Sequence, residues 1–90
     1  MTAIRTPVEL GIEVRNARHE AGLTQAQLAQ QASVSRTWII RLERGEGGLE
    51  IERVFKVLRA LGLGLRAEKQ TARNTSRAID NIFRHIAETP

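Results

Sequence analysis

The chain has 90 residues, 41 % of them hydrophobic and 3 % aromatic, so we expect one small domain with an aliphatic core and no second domain. Its 14 lysines and arginines against 10 acidic residues give a formal charge of +4, which suits a polyanionic partner but also an ordinary soluble surface. The absence of cysteine excludes a disulfide framework and a thiolate zinc site.

The first predicted helix begins near Pro7 and runs to about Ala21. Thr6 and Glu9 have the spacing of a capping box, and Pro7 falls at the first helical position, where its missing N–H costs nothing. Apolar positions then recur every three or four residues, which predicts a buried stripe. The members of that stripe are Leu10, Val14, Ala17 and Ala21.

Residues 24–45 predict two short helices joined by a tight turn. Thr24 and Gln27 have capping-box spacing at the start of the first helix. Ser35 follows the turn as a second cap, and Gly45 is a stop signal. Leu28, Ala29 and Ala32 share one face of the first helix, and Val34, Ile39 and Leu42 point inward around the second.

The outer face of the second helix carries two guanidinium groups and two hydroxyls. Its members are Ser35, Arg36, Thr37, Ile40 and Arg41. A helix with this face can enter a major groove about 12 Å wide and offer bidentate donors to guanine. The pattern predicts a DNA-reading helix-turn-helix. Trp38 lies on the same helix, where it either contacts a sugar-phosphate or packs at the flank of the helix.

At these positions the chain resembles the Xre/Cro (phage-repressor) type of helix-turn-helix protein, over about residues 10–62. The residues that carry the resemblance are Leu23-Thr24-Gln25, Leu28-Ala29, Val34-Ser35, Ile39, Leu42-Glu43 and Gly45. The resemblance implies a mostly α, lambda-repressor-like bundle of four to five helices over residues 1–62. It also implies that Arg18, late in the first helix, pairs with Glu43 at the end of the DNA-reading helix.

A DNA-binding role assigns a task to each exposed position. We expect Arg36 to contact guanine and Arg41 to contact a base edge or the backbone. Thr24 and Gln25 lie at a helix N-terminus, where the dipole and free N–H groups favour a phosphate. The full set of predicted DNA-binding residues is Thr24, Gln25, Ser35, Arg36, Thr37, Trp38, Ile40 and Arg41.

The fourth predicted helix spans about residues 50–61. Its apolar stripe predicts a lid over the core, with Val57 off the stripe and available for a subunit contact. The members of the stripe are Ile51, Val54, Phe55, Leu58 and Leu61.

Residues 63–69 change to a period of two, because Leu63, Leu65 and Ala67 alternate with Gly64, Arg66 and Glu68. A lone strand lacks a ladder partner, so we expect a dimerisation strand that pairs with its own copy across a two-fold axis. The alternative is an irregular tail. A strand at this place narrows the resemblance to HipB-type antitoxins.

Residues 70–90 read as a linker and a C-terminal amphipathic helix over about residues 76–88. The expected contact residues are Ile79, Ile82, Phe83 and Ile86, flanked by Ala78 and Ala87. This stripe can fold back on its own domain, join the dimer interface or bind a partner protein. The sequence leaves these three destinations open.

Catalytic and metal chemistry finds no support in the pattern. His19 and His85 lack an acid and a third ligand at metal spacing, and no serine has an evident general base. We therefore expect no enzyme, no metal and no cofactor. The chain has no signal-peptide pattern and no apolar run of membrane-spanning length, so we expect a cytoplasmic protein, nucleoid-associated when bound to DNA, without a membrane partner.

Three functions fit these expectations. The first is a homodimeric repressor of an inverted-repeat operator, which the HipB resemblance extends to an antitoxin that represses its own operon and restrains a HipA-like kinase toxin. The second is a stand-alone Xre-type regulator without a toxin. The third is a protein-interaction module that keeps the fold only as a scaffold. The outward positions of Arg36, Thr37 and Arg41 disfavour this third function.

Overall fold

A computed structural model describes residues 3–69 and shows four helices in that part of the chain. They are α1 (Pro7–Glu20), α2 (Gln25–Ala32), α3 (Arg36–Glu43) and α4 (Ile51–Ala60). The mostly α helix-turn-helix bundle is confirmed, and each helix end lies within one residue of its predicted place. The predicted C-terminal helix, with Ile79, Ile82, Phe83 and Ile86, lies outside the described residues.

Three helices begin at the residues that the sequence singled out as caps. The hydroxyls of Thr6, Thr24 and Ser35 each accept a backbone N–H from three residues further on, at 3.0–3.1 Å. At α2 the capping box is complete, because the Gln27 Oε1 accepts the Thr24 N–H at 2.8 Å. These bonds satisfy N–H groups that have no acceptor within the helix.

The turn between α2 and α3 contains an unusual backbone conformation. Ser33 has φ 57°, the left-handed region, and it is the only non-glycine residue among residues 3–69 that adopts it. The N–H of Ser33 and of Val34 return to the Gln30 and Ala29 carbonyls at 3.3 and 3.0 Å. This Schellman-type ending reverses the chain sharply, so that α3 starts at once and packs against α2.

The core lies where α2 packs against both α3 and α4, while α1 packs against α3. Most of its members are aliphatic, as the composition predicts. The buried hydrophobic residues are Val14, Leu28, Ala29, Ala32, Trp38, Ile39, Leu42, Val54, Val57 and Leu58.

The predicted stripe of α4 is partly wrong. Val57, which we expected off the stripe, is 0 % exposed, whereas Ile51 and Phe55 are 61 % and 41 % exposed. The apolar residues of α4 form one continuous arc that includes Val57 as well as Ile51 and Phe55, so sequence spacing allows two overlapping stripes. Contact with α2 selects the one centred on Val54, Val57 and Leu58.

The buried side of α1 also differs from the prediction. Val14 is buried and Leu10 and Ala17 are half-buried, but Ala21, at the end of the helix, is exposed. Gly11 and Arg18 are buried instead. An added Cβ at Gly11 would lie 2.5 Å from the Leu42 carbonyl oxygen, so α1 crosses the end of α3 at backbone distance.

Residues 63–69 follow α4 without helix or strand in the single chain. Leu63 and Leu65 are 38 % and 49 % exposed, and Ala67 is exposed as well. A β-ladder needs a neighbouring strand, and none is formed within residues 3–69. Strand pairing between two chains therefore stays a prediction.

Candidate nucleic-acid interface

The outer face of α3 presents the side chains that the sequence places there. Ser35, Arg36, Thr37 and Arg41 are exposed, and Ile40 is half-buried. On the opposite side, Ile39 and Leu42 are almost fully buried and hold the helix against the core. The face is therefore rigidly mounted, although its own polar side chains remain accessible.

Helical spacing divides this face into two rows. Arg36, Ile40 and Arg44 follow one another at intervals of four residues, and Thr37 and Arg41 form the neighbouring row. Arg44 is the C-cap of α3 and is exposed. The first row thus carries two guanidinium groups about two helical turns apart.

An open groove borders the first row, between α3, the N-terminus of α2 and the last turns of α1. Arg15, Thr24, Ala26, Arg36 and Arg44 are among its lining residues. Its three arginines named here form no ion pair with an acid of residues 3–69. The rim of the groove is therefore positively charged and suits an anionic ligand.

The N-terminus of α2 opens into this groove. Thr24 uses its N–H and its hydroxyl oxygen within the capping box. The N–H groups of Gln25 and Ala26 lie in the first helical turn and have no acceptor among residues 3–69. The positive end of the α2 dipole and these two backbone donors therefore lie at the groove, beside the Thr24 hydroxyl.

Gln25 has a second role that the sequence did not indicate. Its side-chain amide donates to Glu43 Oε1 at 3.2 Å and is half-buried. The amide is therefore directed toward α3, and the donor that Gln25 offers to the groove is its backbone N–H.

The ion pair between Arg18 and Glu43 is present and confirms the expectation from the family resemblance. Arg18 donates from Nε to Oε2 at 2.7 Å and from Nη2 to Oε1 at 3.0 Å, with side-chain exposures of only 8 % and 5 %. Its Nη1 donates to the Leu23 carbonyl at 2.9 Å. This bidentate pair joins α1 to the end of α3 and fixes α3 beside the groove.

Trp38 needs a correction. It is 4 % exposed and belongs to the core cluster, so the structure favours packing over the predicted contact with a sugar-phosphate. As the largest side chain on the inner side of α3, it fills space that smaller aliphatic residues leave. The core contains few other aromatic atoms, because the whole chain has one tryptophan, two phenylalanines and no tyrosine.

Arg41 is paired within the chain. Its Nε lies 2.5 Å from Glu46 Oε2, and the two side chains are 48 % and 44 % exposed. The second row of the face therefore carries an acid beside its arginine, whereas the first row carries none from residues 3–69.

Sequence reasoning missed Arg15 and Arg44 as members of the candidate interface. Arg44 could have been found, because it lies eight residues after Arg36 and therefore in the same helical row. Arg15 has no such signal, because its position beside the groove depends on how α1 packs against α3.

Residues 3–69 contain neither a metal-binding cluster nor a membrane-spanning helix. No three His, Cys, Asp or Glu side chains come together there as a metal site. None of the helices in this part of the chain is long and apolar enough to cross a bilayer.

Sequence comparisons find relatives among helix-turn-helix proteins. The family description "Helix-turn-helix domain" matches residues 9–72. The uncharacterized HTH-type transcriptional regulator y4mF of Sinorhizobium fredii is 39 % identical over 62 residues, which span 69 % of this chain and 82 % of that protein. An HTH-type transcriptional regulator of Methanothermobacter thermautotrophicus is 41 % identical over 49 residues, 54 % of this chain and 71 % of that protein.

Solved structures with the same fold include chains of HipB complexes. A chain of a HipA-HipB-O2-O3 complex aligns with a TM-score of 0.73 and 22 % identity, over 79 % of this chain and 100 % of that chain. A HipB–O2 20mer complex gives 0.73 and 24 %, over 79 % and 99 %. A restriction-modification controller protein gives 0.60 and 18 %, over 99 % and 100 %. At these identities the likeness is one of fold.

Proposed function

Because the chain belongs to the helix-turn-helix family of Xre-type transcriptional regulators, we propose that it is a dimeric repressor that reads operator DNA with the outer face of α3. One observation carries the proposal. The accessible guanidinium groups of Arg36 and Arg44 share a row of α3 with no acid of residues 3–69 paired to them, beside the free N–H groups of the α2 N-terminus. That combination suits a duplex, which offers base edges and phosphates side by side.

The groove at the α2 N-terminus is the proposed phosphate site. The backbone N–H groups of Gln25 and Ala26 and the Thr24 hydroxyl donate to one phosphate, and Arg15 and Arg44 add charge at its rim. Such contacts position the protein but carry no sequence information. The Arg18–Glu43 pair holds α3 at a fixed position relative to this phosphate site.

Base reading is assigned to the N-terminal half of α3. Arg36 offers a bidentate fork to guanine, while Thr37 and Ser35 donate or accept at base edges or phosphate. Ile40 is half-buried and apolar, which suits contact with a thymine methyl group. Two copies related by a two-fold axis read an inverted repeat, with half-sites roughly 34 Å apart.

The dimer is assigned to residues 63–69, where Leu63, Leu65 and Ala67 are exposed and the backbone has no ladder partner within residues 3–69. In an antiparallel pair, the two copies of this segment satisfy each other's backbone N–H and C=O groups and cover these side chains. This leaves residues 1–62 as the DNA-binding domain. The predicted segment 70–90, outside the described residues, is the candidate for a partner contact.

Salt-dependent binding tests the proposal. Duplexes enriched from a random-sequence pool by the purified chain are titrated by fluorescence anisotropy between about 50 and 200 mM salt, where a binder with several phosphate contacts loses affinity steeply. Failure to enrich any duplex, or an affinity that does not respond to salt, would contradict DNA reading. That result would favour the protein-interaction module.

An antitoxin role is the finer proposal. It is supported by the shared fold with a chain of the HipA-HipB-O2-O3 complex, at a TM-score of 0.73. On this proposal the chain represses its own operon from the cytoplasm and also restrains a kinase toxin. The antitoxin proposal is tested by co-purifying the chain with the product of the adjacent gene and measuring whether that product loses kinase activity in the complex. A neighbouring gene that does not encode a kinase would favour the stand-alone regulator.

A further inference from the structure

Glu46, the acid that pairs with Arg41, takes no part in the DNA contacts proposed for α3 and α2. We propose that Glu46 is a specificity-determining residue: by pairing with Arg41 it withholds this guanidinium from phosphates and keeps it for a base edge. The inference rests on the proposed DNA-binding function and names a restraint within the same interface.

The backbone holds Glu46 where this restraint requires it. Gly45 follows α3 with φ 81°, and this left-handed residue turns the chain back over the last helical turn. The Glu46 N–H then donates to the Arg41 carbonyl at 3.2 Å, while the Glu46 carboxylate binds the Arg41 Nε at 2.5 Å. Two contacts, one from the backbone and one from the side chain, thus join the same pair of residues.

The contact leaves one edge of the guanidinium open. The carboxylate binds Nε, and the two terminal nitrogens of Arg41 have no acceptor among residues 3–69. Those nitrogens form an edge that can donate to both O6 and N7 of guanine. The pair therefore orients Arg41 for end-on base contact without closing that edge.

Charge separates the two kinds of DNA contact. The Arg41–Glu46 pair is neutral overall, so it releases few counterions, and an approaching phosphate meets the Glu46 carboxylate as well as the guanidinium. Guanine acceptors are uncharged and meet no such repulsion. A half-exposed ion pair changes an equilibrium by about 1.4- to 5-fold, whereas a good bidentate base contact discriminates about 5- to 150-fold. The restraint is therefore strong enough to weaken phosphate contact and too weak to block guanine.

The test compares Glu46→Gln with a matched control. Glu52→Gln removes the same charge from the first turn of α4, a helix that packs on α2. Both variants and the parent chain are titrated with two DNAs, a random-sequence pool and the enriched duplex. Both DNAs are about 30 base pairs long, so that two half-sites fit. The readouts are the affinity for each DNA and the slope of log affinity against log salt.

We expect E46Q to bind the random pool about 2- to 5-fold more tightly, with a salt slope steeper by about 0.9 because Arg41 then neutralises a phosphate. The ratio of specific to non-specific affinity falls accordingly, while E52Q matches the parent chain. In an Arg41→Gln background E46Q only removes the repulsion between the Glu46 carboxylate and phosphates, so the gain is smaller and the salt slope does not steepen by the roughly 0.9 that Arg41 supplies. Equal behaviour of E46Q and E52Q, or a gain and a steeper slope that persist undiminished in R41Q, would overturn the inference while DNA binding stands. A parent chain that enriches no duplex overturns the proposed function itself.

Discussion

Arg36 and Arg44 lie in one row of α3, two turns apart, and both line the groove at the α2 N-terminus, yet we propose different tasks for them. Arg36 belongs to the first turn of the helix, the part that enters the groove in helix-turn-helix complexes. Arg44 is the C-cap at the other end of the helix. In the proposed interface, the task of each arginine thus depends on which end of α3 carries it.

The first prediction concerns Arg36. Replacing it by alanine removes a bidentate donor, so operator affinity falls by about 1–3 kcal/mol and base choice relaxes at one position in each half-site. The measurement is the affinity of R36A for a set of single-base variants of the enriched duplex. A loss of equal size on every duplex would instead identify Arg36 as a phosphate contact.

Arg44→Ala provides the contrast. A phosphate contact carries no base preference, so R44A weakens binding evenly across those duplexes and flattens the salt slope by about 0.9. Arg59→Ala is a suitable control, because Arg59 is exposed on α4 and pairs with no acid of residues 3–69. R59A should change neither the affinity for these duplexes nor the salt slope.

At the scale of elements, the position of α3 depends on how closely α1 approaches it. Gly11 lies so near the end of α3 that an added Cβ would meet two backbone carbonyl oxygens, at 2.5 Å and 2.9 Å. Backbone atoms of a packed helix move less readily than a flexible side chain. The lack of a side chain at Gly11 is therefore what permits the α1–α3 packing.

We expect Gly11→Ala to lower the free energy of unfolding by about 1–3 kcal/mol, since the helices must separate to admit the methyl group. The higher helix propensity of alanine, about 1 kcal/mol, offsets part of that loss. Urea denaturation followed by circular dichroism measures it. Gly47→Ala is the control, because a Cβ there meets nothing within 4 Å; equal stability of the two variants would contradict the packing argument.

The Arg18–Glu43 pair gives a prediction at the same scale. Glu43→Ala leaves a buried guanidinium without its carboxylate and also removes the acceptor of Gln25, so it destabilises the fold by about 3–5 kcal/mol. Glu50→Ala, which breaks an ion pair with side-chain exposures of 49 % and 57 %, changes stability by at most about 1 kcal/mol. Thermal unfolding compares them. Similar midpoints for both variants would show that the buried pair contributes no more than a surface pair.

Local signals in the sequence predicted the elements well, and the relations between elements poorly. Thr6, Thr24 and Ser35 determine helix starts through bonds that span three residues, so spacing alone reveals them. Which side of α4 is buried depends on α2, and the sequence therefore placed Val57 wrongly. The partner of Arg18 lies 25 residues away and was found only through the family resemblance.

At the scale of the whole molecule, one chain presents one α3, which is half of the reading surface in the dimer that we propose. In that dimer a two-fold axis would supply the second α3, and the exposed apolar residues after α4 are the proposed contact. Their burial in a dimer would also remove an apolar surface from solvent.

We expect Leu65→Pro to prevent the dimer, because proline removes a ladder N–H and fixes φ in the middle of the proposed strand. Leu65 is 49 % exposed and lies beyond α4, so the helical bundle should keep its unfolding midpoint. Analytical ultracentrifugation reports the mass. Leu65→Val, which preserves a β-forming side chain, is the control. A dimer that survives L65P would assign the interface to another part of the chain.

The left-handed Ser33 marks a position where one substitution can stabilise the fold. A non-glycine residue at φ 57° is strained by roughly 1–2 kcal/mol, a burden that glycine escapes. After subtracting the greater freedom of glycine in the unfolded chain, Ser33→Gly should raise the free energy of unfolding by about 0.5–1 kcal/mol, visible by calorimetry as a higher midpoint. A substitution in the turn between α2 and α3 could thus raise the stability of the protein without changing the outer face of α3.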